Sequence, residues 1–405
     1  MKSQMSLPQY ARRPADSVTF PGWPEFAEDQ VEAAVAVLRS GKVNYWTGEE
    51  GREFEREYAQ LVGTRHAIAL ANGTVSLELA LAVLGVAAGD EVVTTPRTFI
   101  ASASCAVLRG ATPVFADVDL DSQNITAESI ERVLSPRTKA IVLVHLAGWP
   151  CEMLPILELA AARGIAVIED CAQAHGAEYR GRPVGGFGII GSFSFCQDKI
   201  ITSGGEGGML LTDREDLWSR AWSFKDHGKS YDAVYHGQHG PGFKWLHESF
   251  GTNWRMTELQ AAIGRMQLRR LPEWVNARGR NAAALRAGFA GLEALRVPAP
   301  PPHVRHAYYK FYAFLDVTCL KHEWTRDRVV SEIRARGVPC FSGSCSEVYL
   351  ERAFDGSSSK PKVRLANARR LGESSLMFLV HPTLDESHMA RAVEVARHVL
   401  MKALR

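Results

Sequence analysis

Three short stretches of this sequence set charged or nucleophilic side chains beside residues small enough to let a ligand come close. The first is Asn72-Gly73-Thr74-Val75-Ser76, which opens a helical pattern. Glycine permits close backbone approach, and the free N–H groups of a helix N-terminus favour a phosphate. The same residues also make an ordinary turn with an N-cap. The second stretch, Asp170-Cys171-Ala172-Gln173-Ala174-His175-Gly176, follows the apolar run Ile165-Ala166-Val167-Ile168. It puts a carboxylate at the end of a buried strand, where an unpaired charge is strongly unfavourable. Asp170 therefore needs a cation, of which a protonated pyridine nitrogen is one example, or it caps the next helix. His175 reads first as a core histidine whose hydrogen bonds are met. The third stretch runs from Gly191-Ser192-Phe193-Ser194-Phe195 to Lys199, and a glycine turn, Ser203-Gly204-Gly205-Glu206-Gly207-Gly208, comes next. A lysine at a strand end can be desolvated, lose its proton and act as a nucleophile. The plainer alternative is a solvated surface charge.

Other patterns carry no chemistry on this reading. Gly186-Phe187-Gly188-Ile189-Ile190-Gly191 spells a dinucleotide fingerprint, but it precedes a strand where a true fingerprint follows one and opens a helix. His236 and His239 lack a surrounding ligand set, and Cys340 and Cys345 are treated alike, so no metal site is expected.

The elements that must position these residues follow from alternation. Short apolar runs at 66–72, 91–95, 112–117, 140–146, 165–169, 191–195 and 208–212 read as strands, several of them buried on both faces. Helical spacing at 77–86, 101–108, 127–134 and 153–163 lies between them. The pattern predicts an α/β domain around a mostly parallel seven-stranded sheet. In such sheets ligands bind beyond the carboxyl ends of the strands, where all three stretches fall. A helix over 258–271 closes this domain. Beyond it, a strand at 308–316 and helices at 325–336 and 386–402 predict a smaller α+β domain, with 298–302 and 355–361 as loops. The expected division is residues 1–270 and 271–405.

The bulk numbers exclude several classes. The 405 residues carry 47 Lys plus Arg against 45 Asp plus Glu, which gives no basic field for nucleic acid. No apolar run is long enough to span a membrane. Residues 1–17 lack the apolar core of a secretory signal, and seven scattered cysteines suggest reduced thiols, so a cytoplasmic protein is expected.

Taken in order and spacing, the chain resembles the DegT/StrS family of sugar aminotransferases. The resemblance rests on Ala71-Asn72-Gly73-Thr74, Gly89-Asp90-Glu91-Val92, Pro96-x-Thr98-Phe99-Ile100-Ala101, Glu169-Asp170-Cys171-Ala172-Gln173-Ala174-His175-Gly176, Phe193-Ser194-Phe195-x-x-x-Lys199, Gly205-Glu206-Gly207-Gly208 and Asn253-Trp254-Arg255-Met256. It implies the fold-type-I architecture of enzymes dependent on pyridoxal 5′-phosphate. On that resemblance Lys199 bonds the cofactor and moves the proton at the substrate Cα. Asp170 pairs with the pyridine nitrogen, Phe99 stacks on the ring, and Gln173 lies near the phenolic oxygen. Gly73, Thr74 and Ser194 hold the phosphate, and Asn253 reaches it from a neighbouring subunit, which implies a homodimer with shared sites.

The implied reaction moves an amino group from an amino acid, glutamate first, to a nucleotide-linked keto-sugar of the keto-6-deoxyhexose type. A keto-cyclitol is the alternative acceptor. A sugar dehydratase of the same fold would carry His in place of Lys199, and a regulator would need a DNA-binding segment. Two departures stand out: Lys225 where many relatives carry Arg, and the segment from Gly337 to Glu347, which bears on the acceptor sugar.

Overall fold

The computed structural model describes residues 18–405, so the N-terminal stretch read above as no signal lies outside the described residues. Helices α1 (Glu28–Ser40) and α2 (Glu50–Val62) lead into an alternation of strands and helices. It runs β1 (His66–Leu70), α3 (Gly73–Val83), β2 (Glu91–Thr94), α4 (Ala101–Leu108), β3 (Thr112–Phe115), α5 (Ala127–Glu131), β4 (Thr138–Val144), α6 (Met153–Arg163) and β5 (Ala166–Asp170). A hairpin of β6 (Glu178–Tyr179) and β7 (Arg182–Pro183) precedes β8 (Ile190–Ser194), β9 (Gly208–Thr212), α7 (Glu215–Lys225) and α8 (Tyr231–Tyr235).

Seven of these strands form one sheet in the order β1-β9-β8-β5-β4-β2-β3. Only β9 runs against its neighbours. The strands are buried on both faces because successive side chains enter different cores. Ile68, Leu210, Val142 and Ile168 pack on one face with α3 and α4, while Ala69, Leu211, Leu143 and Val167 enter the other. Reversal of β9 keeps β1 and β8 pointing the same way, with Leu70 and Ser194 on either side of Gly208. The carboxyl ends of β1, β2, β4, β5 and β8 therefore share one edge.

Helix α9 (Glu258–Phe289) starts at a capping box of Thr257 and Gln260. It does not stop at residue 271 as expected. Pro272 lies on its exposed face, and the helix continues through it. Proline removes one backbone donor, but packing on both sides of it holds the helix together. Leu268, Leu271 and Val275 sit in the large-domain core, and Ala282, Leu285 and Phe289 sit in the small-domain core. The division placed at 270/271 thus falls inside a helix that serves both cores.

After α9 come β10 (Leu295–Arg296), β11 (Val304–Arg305), β12 (Phe311–Leu315), α10 (Arg326–Ala335), β13 (Cys340–Phe341), α11 (Ala366–Ser374), β14 (Ser375–Phe378) and α12 (Glu386–Ala403). A four-stranded antiparallel sheet, β10-β12-β14-β13, carries α10 and α12. No described helix is long and apolar enough to cross a membrane.

Candidate functional site

The tightest point of the shared edge lies between β1 and β8. Asn72 caps α3, its Oδ1 accepting from the Val75 N–H at 3.0 Å. A Cβ on Gly73 would lie 2.6 Å from the Ser194 Cβ, and one on Gly208 would lie 2.3 Å from the Asn72 carbonyl oxygen. Side chains at these positions would fill the concave turn, so glycine keeps the first-turn N–H groups of α3 open beside Thr74 and Ser194. His175 supports the turn from below. It donates from Nε2 to the Ser194 carbonyl at 2.9 Å and accepts from the Tyr58 hydroxyl at Nδ1, 2.7 Å away. Burial pushes its pKa down to about 3, so it stays neutral: the satisfied core histidine that the sequence suggested.

Asp170 ends β5 and is 5% exposed. Its Oδ2 accepts from the Ser102 hydroxyl at 2.7 Å and its Oδ1 from the Ala172 N–H at 3.1 Å. Burial raises its pKa above the ordinary carboxylate range, against these donors and the more distant Lys199 charge. No cation of the described chain forms an ion pair with it. The adjacent Glu169 is different. It accepts from His145 Nε2 and from the N–H groups of Gly185, Phe187 and Gly188, at 2.7–3.0 Å. Burial acts to raise its pKa, but these donors outweigh it and hold Glu169 ionised. The run that spelled a dinucleotide fingerprint is thereby explained. Its backbone wraps a carboxylate of its own chain, and a Cβ on Gly188 or Gly191 would meet backbone oxygen at 2.5 or 2.2 Å. Cys171 lies with His145 and Glu169 within 4.8 Å, but that carboxylate is already filled by donors of the chain.

Lys199 sits in the turn after β8, its side chain 16% exposed and its Nζ 3.7 Å from Asp198 Oδ1. The turn is tied down by the N-terminal segment, because the Trp23 indole donates to the Lys199 carbonyl at 2.7 Å. Asp198 also accepts from the Tyr309 hydroxyl and lies 4.0 Å from Lys310 Nζ. Burial alone would raise the Asp198 pKa, but Lys199, Tyr309 and Lys310 hold it below the usual range. Sequence reasoning singled out Lys199 and missed Tyr309 and Lys310, which arrive from the small domain with no local motif to mark them.

Phe99 follows β2 with 67% of its surface exposed, an open aromatic face at the same edge. The loop that presents it is anchored by Arg97, a fully buried side chain. Arg97 donates from Nε to Gln123 at 2.9 Å, from Nη1 to Ser346 at 2.7 Å and from Nη2 to Ser375 at 2.8 Å. Thr98 N–H donates to the Cys345 carbonyl and Val348 N–H to the Pro96 carbonyl. The departing segment 337–347 thus touches the Phe99 loop. Gln173 receives the Ala147 N–H at Oε1, 2.8 Å away. Asn253 is exposed and does not cap α9, since Thr257 does. Lys225 is fully buried, 3.7 Å from Glu55 Oε1 and 3.7 Å from the centroid of the Tyr45 ring. His236 pairs with Asp232 and His239 bonds the Ala233 carbonyl, both folding back on the short helix α8.

The arrangement suits pyridoxal phosphate. An open glycine turn at a helix N-terminus matches a phosphate, an exposed phenyl face matches a ring, a buried carboxylate without a cation matches a pyridinium, and a lysine matches an aldehyde. The chain is 54% identical to an aminotransferase from Psychrobacter cryohalolentis, whose crystal structure superposes with a TM-score of 0.93 over 95% of this chain and 99% of that one. It is 40% identical to a GDP-perosamine synthase from Caulobacter vibrioides, across 88% of this chain and 92% of the relative. It is 32% identical to a dTDP-3-amino-3,4,6-trideoxy-alpha-D-glucose transaminase from Streptomyces venezuelae, across 91% of each. Residues 24–397 match the model of a single family. The fold, the site and these likenesses agree: the chain belongs to the DegT/DnrJ/EryC1/StrS aminotransferase family, whose members depend on pyridoxal phosphate.

Proposed function

We propose that this aminotransferase passes the amino group of an amino acid, glutamate first, to a keto-6-deoxyhexose carried on a nucleotide. In the same reading two copies share each site, and the enzyme works in the cytoplasm. The observation that carries the reading is the convergence of Lys199, Asp170, Phe99 and the Gly73–Ser194 turn at one sheet edge. Relatives are named for GDP-, dTDP- and UDP-linked sugars, and the GDP- and dTDP-linked ones favour this acceptor. Seven cysteines without a disulfide fit a reducing compartment.

Pyridoxal phosphate, when bound, supplies a conjugated ring that accepts the electron pair left when a proton departs from the substrate Cα. Gly73, Thr74 and Ser194 would hold its phosphate, Phe99 one ring face and Gln173 its phenolic edge, with Asn253 entering from a neighbouring copy. The Asp170 carboxylate would meet the pyridine nitrogen and keep it protonated, a cation that its own chain does not provide. Ser102 and the Ala172 N–H fix which way that carboxylate faces. Lys199 would hold the cofactor and carry the proton at Cα, and the Trp23 anchor on its carbonyl keeps the turn from drifting. Asp198 stands beside that side chain, its Oδ1 3.7 Å from Lys199 Nζ.

The test is direct. Purified enzyme is incubated with glutamate and a series of nucleotide-linked keto-sugars, and the aminated product is followed by mass together with 2-oxoglutarate. Amination of a nucleotide-linked sugar, lost in Lys199→Ala, is expected. Turnover of a keto-cyclitol with none of the nucleotide sugars would overturn the acceptor. Full activity in Lys199→Ala would overturn the role of the lysine.

A further inference from the structure

Lys225 closes helix α7 as a fully buried cation to which the reaction above gives no task. Its Nζ has no hydrogen-bond partner among the described residues. It lies instead 3.7 Å from the centroid of the Tyr45 ring, 5.8 Å from that of Trp222 and 3.7 Å from Glu55 Oε1. These neighbours are themselves fixed. The Tyr45 hydroxyl donates to Glu55 Oε2 at 3.2 Å and accepts from the Trp222 indole at 3.4 Å, and the Ala69 N–H of β1 donates to Glu55 Oε1 at 2.8 Å. Burial draws the Lys225 pKa down, and Glu55 and Asp226 oppose the shift.

The main chain of Lys225 meets the segment that carries Asn253. The Lys225 carbonyl accepts the Trp254 N–H at 3.0 Å, and the His227 N–H donates to the Thr252 carbonyl at 2.9 Å. Residues 225–227 and 252–254 thus run antiparallel, with Asp226 opposite Asn253. Asp226 is fully buried, and its Oδ1 accepts from Arg255 and, at 3.1 Å, from Lys229. Asn253 is left exposed on a rung pinned from both sides. A buried ammonium held between a ring and a carboxylate has few other places to go, so the end of α7 and the carbonyl that holds Trp254 are fixed with it. On its other edge the same segment touches the glycine turn of its own chain, where the Ala71 N–H donates to the Trp254 carbonyl at 2.8 Å.

We propose that Lys225 is a positioning residue for Asn253: anchored between Tyr45 and Glu55, it sets the rung that carries Asn253 to the cofactor phosphate of a neighbouring copy. The proposal rests on the shared site proposed above and adds the buried group that aims its donated residue. A change at Lys225 is therefore felt in the neighbour's site, although Lys225 is buried inside its own subunit. Action through Ala71 would instead be felt in the glycine turn of the same subunit.

Lys225→Met keeps the stem and removes the ammonium, while Glu55 retains its Tyr45 and Ala69 donors. Absorbance titration of the cofactor-free protein with pyridoxal phosphate is expected to show affinity roughly tenfold weaker than wild type, the scale of one hydrogen bond to a charged group. Lys225→Met/Glu55→Gln removes both charged partners and serves the same test where the single variant does not fold. Subunit exchange then decides which site is affected. The assay is run with pyridoxal phosphate near the wild-type dissociation constant. Lys225→Met exchanged with Lys199→Ala is expected to be roughly twice as active, or more, as the same amounts kept apart, because each mixed dimer gains one site with an intact Lys199 and an Asn253 aimed by an intact Lys225. Asn253→Asp exchanged with Lys199→Ala is measured beside it. A gain there with none for Lys225→Met would overturn the positioning role and leave the shared site standing, and unchanged cofactor affinity in Lys225→Met would do the same. No gain in either mixture, with exchange confirmed by mass, would overturn the shared site and with it the action of Lys225 across the interface.

Discussion

A carboxylate sunk at the end of a parallel strand is unfavourable until a cation meets it, and Asp170 is in that position. Its pKa is raised on folding by burial, so the folded cofactor-free protein binds that proton more tightly than the unfolded chain does. The stability from this group is therefore full at low pH and is lost as pH rises from the ordinary carboxylate value through the raised one. At neutral pH the cofactor-free protein bears the strain. Asp170→Asn is expected to raise the Tm of the cofactor-free protein at pH 7 by on the order of a few degrees and to flatten its dependence on pH. The same variant should lower kcat by more than about tenfold, since an amide cannot keep the pyridine nitrogen protonated. Calorimetry that finds equal Tm for the two proteins would remove the strain from the account. Lys310 gives a second pH signature. Its neighbours are Asp198, Lys199, Arg278, Tyr309 and His381; burial brings its pKa down to about 8, with Arg278 and Lys199 adding to the shift and Asp198 opposing it. As pH climbs past about 8 the ammonium is lost, so a titration of the Lys310 side chain followed by NMR should find its midpoint near 8, and Asp198→Asn, which removes the opposing charge, should move that midpoint lower. Asp170 and Lys199 were legible in the sequence because each closes a strand and its neighbours carry the signal. Tyr309 and Lys310 were not, because what makes them notable is the partner they meet, Asp198, which lies 111 residues before Tyr309 in the chain.

Among the elements, the strands of the large sheet were legible for a physical reason. A strand buried on both faces has no polar side to break its apolar run, and β2, β4, β5 and β8 all show this. Strand β14 was missed although it pairs with both β12 and β13, because Ser375-Leu376-Met377-Phe378 is only four residues long and abuts a helix. The end of α9 was misplaced because Pro272 is a local signal and the two cores on either side of it are not. Arg97 joins these elements. It ties the Phe99 loop to Gln123, to Ser346 in the departing segment and to Ser375 at the start of β14. Arg97→Met keeps the bulk and removes the donors along with the buried charge, so global stability should change by no more than about 1–2 kcal/mol. The local effect should be larger. The Thr98 and Val348 amides, which donate across the loop–segment contact, should exchange hydrogen faster, and cofactor affinity should drop roughly tenfold through the loosened Phe99. Unchanged exchange at both amides would show that the loop holds without Arg97.

At the scale of the whole molecule, the proposal of a shared site rests on what one chain leaves exposed. Asn253 faces solvent, and the capping role that would have kept it within its own chain belongs to Thr257. Just before it in sequence, Phe243, Trp245 and Phe250 are 76%, 82% and 100% exposed, three aromatic side chains that a lone subunit leaves in water. A second copy that covers this loop would bring Asn253 to its neighbour's cofactor phosphate, and two-fold pairing is the commonest way to build such an arrangement. Asn253→Asp would set a negative charge beside that phosphate and weaken cofactor binding. Lys199→Ala fails for a separate reason. When the two inactive variants are mixed and their subunits exchange, each mixed dimer has one site with both defects and one with neither. Random pairing makes about half the dimers mixed, with one of two sites working, so activity should recover to roughly a quarter of wild type. Each homodimer of a single variant stays inactive, which supplies the baseline. If Asn253 acts only within its own chain, a mixed dimer contains no intact site, and recovery stays at that baseline even when exchange is confirmed by mass.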